Sequence, residues 1–290
     1  MIVECITLPK ITKKQSKLPI LKFKNQMTYE GTLTKMQTEV GNPIQYYLVF
    51  DTSFLNINQL LNKEIEVVFD GFQCLNCGKN KKIFRQGFCY DCFYSSPAVG
   101  DWIMKPELST AHLEIEDRDL AYEKRVQLQP HVVYFASSSE LKVGVTRKTQ
   151  IPTRWIDQGA EAALAIVEVP NRYLAGITEV ALKNHFADKT NWRKMLTNDI
   201  ISFDLFAEKK KVAALLPNEV RDYFDINAFN VQPLYYPVLQ YPKKISSISL
   251  DKTPSFKGIL TGIKGQYLIF EDGSVFNIRS NEGYKVRISV

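Results

Sequence analysis

Cys74, Cys77, Cys89 and Cys92 lie in one stretch, CLNCGKNKKIFRQGFCYDC, as two Cys-x2-Cys pairs separated by eleven residues. Four thiolates at this spacing can surround one tetrahedral Zn²⁺ with no open coordination position, so the chemistry they imply is structural rather than catalytic. Gly78 and Gly87 suit the tight turns that aim backbone amides at the sulfurs. Between the pairs lie Lys79, Lys81, Lys82 and Arg85, with Phe84 among them. Basic and aromatic residues on such a loop suit phosphate contact and base stacking, with Lys82 and Arg85 as candidate substrate-binding residues. A solvated loop accounts for the same residues. His112 with Glu107, Glu114, Glu116, Asp117 and Asp119 follows without a recognisable ligand spacing, and its default reading is a solvated acidic turn. The fifth cysteine, Cys5, stands alone in an apolar run and reads as a small buried residue.

The elements that must position these residues divide the chain into five segments, a multi-domain α+β organisation. Residues 1–72 alternate apolar and polar positions in short runs such as QYYLVF and EIEVVF, the pattern of an all-β unit. Residues 73–129 carry the cysteines and the acidic segment. Residues 130–205 read as strand, strand, helix, strand, helix, and residues 206–232 as a helical linker. From 233 to 290 the chain returns to β structure. The two ends resemble each other: both run Gly-x-Leu-Thr, then Gln-Tyr-(x)-Leu-(Val/Ile)-Phe, then Phe-(x)-Asn-Ile, then a Lys-led alternating strand. A fixed-order match of this kind predicts two copies of one small, barrel-like β-unit flanking the middle of the protein, either separate or paired.

Inside the middle segment, VVYFASSSELKVGVTR (Val132 to Arg147) predicts a hairpin. Pro152 opens a short helix, TRWIDQGA, that Gly159 ends. ALAIVEV is a buried strand closed by Pro170, and YLAGITEVALKNHF is a helix with Glu179 on it. This order resembles the GIY-YIG nuclease superfamily. The first family tripeptide falls on Val132-Val133-Tyr134 and the second on Lys142-Val143-Gly144. Arg154 falls on the arginine of the first helix, Glu179 on the metal-binding glutamate, and Asn191 on the polar residue that ends the motif set. Two positions depart from the pattern: Val132 replaces the leading glycine, and Lys142 replaces the second tyrosine. More broadly, the chain resembles an uncharacterised prokaryotic family of unknown function, whose members join a CxxC…CxxC segment to KVGVTR…RWIDQGA and DKTNWRKML stretches.

What the superfamily resemblance implies is phosphodiester hydrolysis. Glu179 would hold one Mg²⁺ or Mn²⁺, Arg154 would contact the phosphate, and Tyr134 or Lys142 would position water. Arg147 and Lys148, just past the hairpin, are further candidate substrate-binding residues. The bland readings are an i,i+4 ion pair of Glu179 with Lys183, a core role for Tyr134, and a local pairing of Arg154 near Asp157.

Composition bounds the rest. The chain has 290 residues, 45% hydrophobic and 23% charged, which is ample for a sizeable core. Net charge is +6, and 12 basic against 8 acidic residues in 206–290 supply most of it. That excess permits a nucleic-acid partner, DNA or RNA, without demanding one. No apolar run approaches a membrane span and MIVECITLPKITKK lacks a secretory h-region, so the expectation is a cytoplasmic protein. A metal-dependent endonuclease, a non-catalytic zinc-containing nucleic-acid-binding module and a protein-interaction scaffold all fit these bounds.

Overall fold

The structure, a computed structural model, describes residues 27–186, 191–228 and 230–290. Cys5, the MIVECITLPKITKK run and the first residues of DKTNWRKML lie outside these. No described helix is long and apolar enough to cross a membrane.

The chain opens with strands β1 (Thr28–Thr32), β2 (Gln37–Glu39), β3 (Gln45–Val49), β4 (Phe54–Asn56) and the long β5 (Glu64–Phe72). The cysteine lobe follows as a small hairpin, β6 (Ile83–Arg85) and β7 (Phe88–Cys89), and a short helix α1 (Tyr90–Ser95). A series of 3₁₀ turns between Pro97 and Leu113 then leads to α2 (Leu120–Gln127). The middle of the protein runs β8 (His131–Ser137), β9 (Leu141–Arg147), α3 (Thr153–Asp157), β10 (Ala162–Val169), α4 (Arg172–Lys183), α5 (Trp192–Leu196) and α6 (Leu205–Val212). Strands β11 (Gln232–Pro233), β12 (Ser246–Ser247), β13 (Ser255–Lys264), β14 (Tyr267–Phe270), β15 (Ser274–Asn277) and β16 (Tyr284–Ser289) complete a mixed α+β structure with several sheets.

The two terminal β-units pair with each other. Among the described residues one sheet runs β1-β16-β5-β13-β14-β15-β12. The first strand of each unit pairs with the last strand of the other (β1 with β16, β13 with β5), and the two last strands pair in the centre. Val67 faces Ile288 there, with Glu66 opposite Ser289 and Val68 opposite Arg287. The internal similarity extends to side chains. A Cβ on Gly31 would overlap the ring of Phe50, and a Cβ on Gly258 would overlap that of Phe270, the matching phenylalanine. Asn56 and Asn277 each turn the chain by accepting a backbone N–H two or three residues on.

In the middle of the protein the sheet order is β11-β10-β8-β9, antiparallel throughout. Every residue of β8 is buried, because both faces of this strand are covered. On one face Val132, Tyr134 and Ala136 share a core with Trp155, Ile156 and the terminal sheet. On the other, Val133 and Phe135 pack with Val143, Leu164 and residues of α4 and α6. Helix α5 fastens the two parts together: the Trp192 ring stacks on Tyr267 at 5.7 Å, and Met195 fills the space beside Gly159.

Candidate functional site

In the cysteine lobe the Sγ atoms of Cys74, Cys77, Cys89 and Cys92 lie within 4.8 Å of one another, and no disulfide joins them. Gly78 and Gly87 have φ of +68° and +78°, the left-handed turns the spacing called for. The Cys89 amide donates to Cys74 Sγ at 3.3 Å. Burial pushes the Cys74 thiol up, but the backbone amides of Cys77, Cys89 and Asn76 outweigh it and bring it down to about 6. A donor set of clustered free thiols, one of them held toward thiolate by amides, fits a four-coordinate metal ion such as zinc. The lobe is tied down at both ends. Gln73 N–H donates to the carbonyl of Gly283, and Arg118 donates to the carbonyls of Phe93 and Ser96 at the end of α1. Lys82 and Arg85 are exposed, and Arg85 lies over the Phe84 ring at 5.3 Å.

A second grouping forms beside the edge strand β9. Tyr134 and Gly144 face each other across the β8–β9 ladder. A Cβ on Gly144 would sit 2.6 Å from the Tyr134 hydroxyl, so only glycine lets the ring lie across β9. The phenol oxygen accepts a hydrogen bond from Gln158 Nε2 at 2.5 Å. Burial raises its pKa against the pull of the nearby Arg154 guanidinium, and the Glu179 carboxylate raises it further. Arg154 and Glu179, which come from two different helices, are therefore both near enough to the Tyr134 phenol to act on its charge. Lys142 lies opposite Ala136, one step along the ladder on the same face as Tyr134, and is half-buried.

Glu179 makes the i,i+4 ion pair with Lys183, whose Nζ approaches it at 3.6 Å, but the Glu179 side chain itself is only 12% exposed. Burial raises its pKa; Lys183 opposes this, and the neighbouring Glu107 adds to it. Two more arginines are close. Arg172 donates to the carbonyls of Trp102 and Ile103 at 3.0 and 2.7 Å, and burial lowers it to about 10 despite the Glu179 charge. Arg147 and Arg154 act on Arg172 in the same direction as burial. Arg147 and Arg172 also bear on His131, fully buried and brought down to about 4 mainly by that burial, so it is neutral at physiological pH.

Glu107 is the residue that sequence reasoning left in a solvated turn. Pro106–Leu108 lies directly on α4, because Gly176 has no Cβ to block the backbone of Pro106 and Glu107. One turn along the same helix is Glu179, and Glu107 Oε2 is buried with no hydrogen-bond partner. The only sequence signal was a glycine in the middle of a helix, which marks a close approach without saying of what. Elsewhere in the segment Glu123 is fully buried and accepts the amides of Asp117, Arg118 and Asp119, so this turn is an ordered platform. Replacing Gly176 with valine is expected to lift Pro106–Leu108 off α4, at about 1–3 kcal/mol for overpacking. Thermal unfolding and amide exchange in residues 102–110 would measure this; unchanged exchange would mean that the contact does not hold the segment.

The remaining candidates take other places. Asn191 caps α5, its Oδ1 accepting from the amides of Arg193 and Lys194, while its own amide donates to Ser139 Oγ. Lys148 pairs with Glu168 at 2.9 Å. Asp157 pairs with Lys35 rather than with Arg154.

No curated protein and no solved structure matches the chain. A family model described as a protein of unknown function (DUF2797) matches residues 62–286, a span that takes in the four cysteines, the β8–β9 hairpin, Arg154 and Glu179. Since the match covers most of its length, the chain belongs to that family.

Proposed function

We propose that the protein is a metal-dependent phosphodiester hydrolase acting on nucleic acid, with a site like that of the GIY-YIG nucleases. The observation that carries this reading is the convergence of Arg154 and Glu179 on the Tyr134 phenol beside β9, where both bear on its charge. Arg147 and Arg172 extend the grouping, where Arg147 and Arg154 act against the Arg172 charge and Glu179 and Glu107 favour it. A phosphodiester would add its anion to this set of cations, and the planar guanidinium of Arg154 suits its oxygens.

The donor set fits a hard divalent cation: Glu179 is a largely buried carboxylate, and beside it Glu107 has an oxygen with no partner. These two residues would hold Mg²⁺ or Mn²⁺, which when bound polarises a phosphoryl oxygen and makes water a better nucleophile. Arg154 stabilises charge that builds on the phosphate oxygens. Tyr134 stays protonated, because burial raises its pKa. Its oxygen accepts from Gln158 and its side chain is fully buried, so its role is to hold Gln158 and Arg154 in position and not to act as the base. Lys142, on the same face, adds a cation along the path of the strand.

The test is incubation with single- and double-stranded DNA and RNA in Mg²⁺ or Mn²⁺. Metal-dependent cleavage is expected, abolished by chelation of the divalent ion; no cleavage of any of these substrates overturns hydrolysis. One observation favours a second reading, a non-catalytic nucleic-acid-binding module. Burial raises the Tyr134 pKa, which takes the phenol further from acting as a base near neutrality. Binding that weakens steeply with salt, without hydrolysis, would identify that case.

A further inference from the structure

The cysteine lobe carries a ring cluster that the phosphodiester site does not use. Tyr90 and Tyr94 stand one turn apart on α1 with centroids 4.8 Å apart. Phe84, from the facing strand β6, meets Tyr90 at 5.3 Å, Phe93 at 5.3 Å and Tyr94 at 5.9 Å. These are not core residues: Phe84 is 41% exposed, Tyr90 61% and Tyr94 56%. The lobe's apolar interior is a separate set, built by the buried cysteines with Ile83 and Phe88. Removing the tyrosine rings would therefore leave that interior in place.

Charge says what the rings face. Lys79, Lys82 and Arg85 are exposed on the same loop as Phe84, with Arg85 over the Phe84 ring. Lys81 is held by Asp91 at 2.6 Å, the single acidic residue between the first and last cysteine. A polypeptide ligand would use the rings and the cations together only if it were both acidic and rich in apolar or aromatic side chains. A nucleic-acid duplex would satisfy the cations but could offer no base face to the rings, since its bases are stacked inside. Unpaired bases joined by phosphates satisfy both at once.

We infer that the Phe84/Tyr90/Tyr94 cluster, with Lys82 and Arg85, is a stacking platform for single-stranded nucleic acid. This rests on the reading of the protein as nucleic-acid-processing and names the form of strand it takes. The platform holds an unpaired stretch by base faces and backbone, with no hydrogen-bond readout of sequence.

The experiment uses the full chain, metal loaded, and a fluorescein-labelled oligothymidine strand, with a hairpin duplex of the same length as comparison. Tyr90→Ser/Tyr94→Ser is expected to weaken single-strand binding by about tenfold or more per ring. Duplex binding should change little and the metal content should be preserved. Tyr90→Phe/Tyr94→Phe, which keeps both rings, should restore single-strand affinity. The platform is overturned if the serine variant binds single strands as well as the wild type does. It is also overturned if duplex affinity falls by the same factor, or if the phenylalanine variant loses as much as the serine one. Cleavage of a small aryl phosphodiester by the wild-type protein is scored separately. Its absence counts against the hydrolase and leaves the strand-binding result to stand or fall by itself.

Discussion

Removing the metal from the four-cysteine lobe is expected to unfold residues 74–95 and loosen residues 97–116, while the sheet around Tyr134 stays folded. The lobe is too small to hold itself by burial: its interior is three buried cysteines with Ile83 and Phe88. A structural Zn²⁺ contributes on the order of 10 kcal/mol in such a segment, more than any other single interaction here. Loss would spread along one route. Arg118 holds the carbonyls at the end of α1, so melting α1 frees that anchor. The turns that follow carry the carbonyls that Arg172 grips and bring Glu107 to α4. The β8–β10 ladder does not depend on this route. Cys89→Ser, or a strong chelator, should therefore abolish metal binding and raise amide exchange in 74–116, with β8 protected as before. A metal-free protein whose exchange matches that of the wild type would show that the thiols do not hold a structural ion.

Which parts could be read in the sequence depended on how far apart the interacting residues lie. The four-cysteine lobe was legible because its cysteines and its turn glycines all lie within one short stretch, and local spacing determines local geometry. The hairpin was legible for the same reason, and the role of Gly144 follows from its register with Tyr134. Glu107 was not legible. Its neighbour Glu179 is 72 positions away, and what joins them is the backbone packing that Gly176 allows. Asn191 shows the opposite case, a polar residue that a motif could claim and that helix capping uses instead.

The terminal repeat was visible as a pattern, but pairing was left open because pleated β-units look alike from either side. The charges carried the answer. Glu30 and Glu64 in the first unit meet Arg287 and Lys257 in the second, at 4.0 and 2.9 Å. At the equivalent places the two copies carry opposite signs, so each completes the other's edge where a second copy of itself would repel. Exposed pairs of this kind contribute little stability and act mainly on the choice of partner.

Glu179→Gln is expected to abolish divalent-metal-dependent cleavage, by about 10³-fold or more, and to stabilise the metal-free protein at neutral pH. The two effects have one cause. Burial raises the Glu179 pKa above its ordinary 4.5, and Glu107 pushes the same way, while Lys183 and Arg172 only partly offset this. Between 4.5 and the raised value the folded chain binds more protons than the unfolded one, so stability falls as pH rises through that window. At neutral pH the ionised carboxylate carries the whole penalty unless a cation sits beside it. Glutamine has the same shape and no charge, which removes the penalty together with the ligand. The variant should therefore melt higher than wild type at pH 7 without metal, and the difference should shrink toward pH 4. Adding Mn²⁺ should raise the melting temperature of the wild type and leave that of the variant unchanged. A variant that melts lower than wild type at pH 7 would mean that the Lys183 pair outweighs burial. Cleavage that survives the substitution would place the divalent ion away from Glu179.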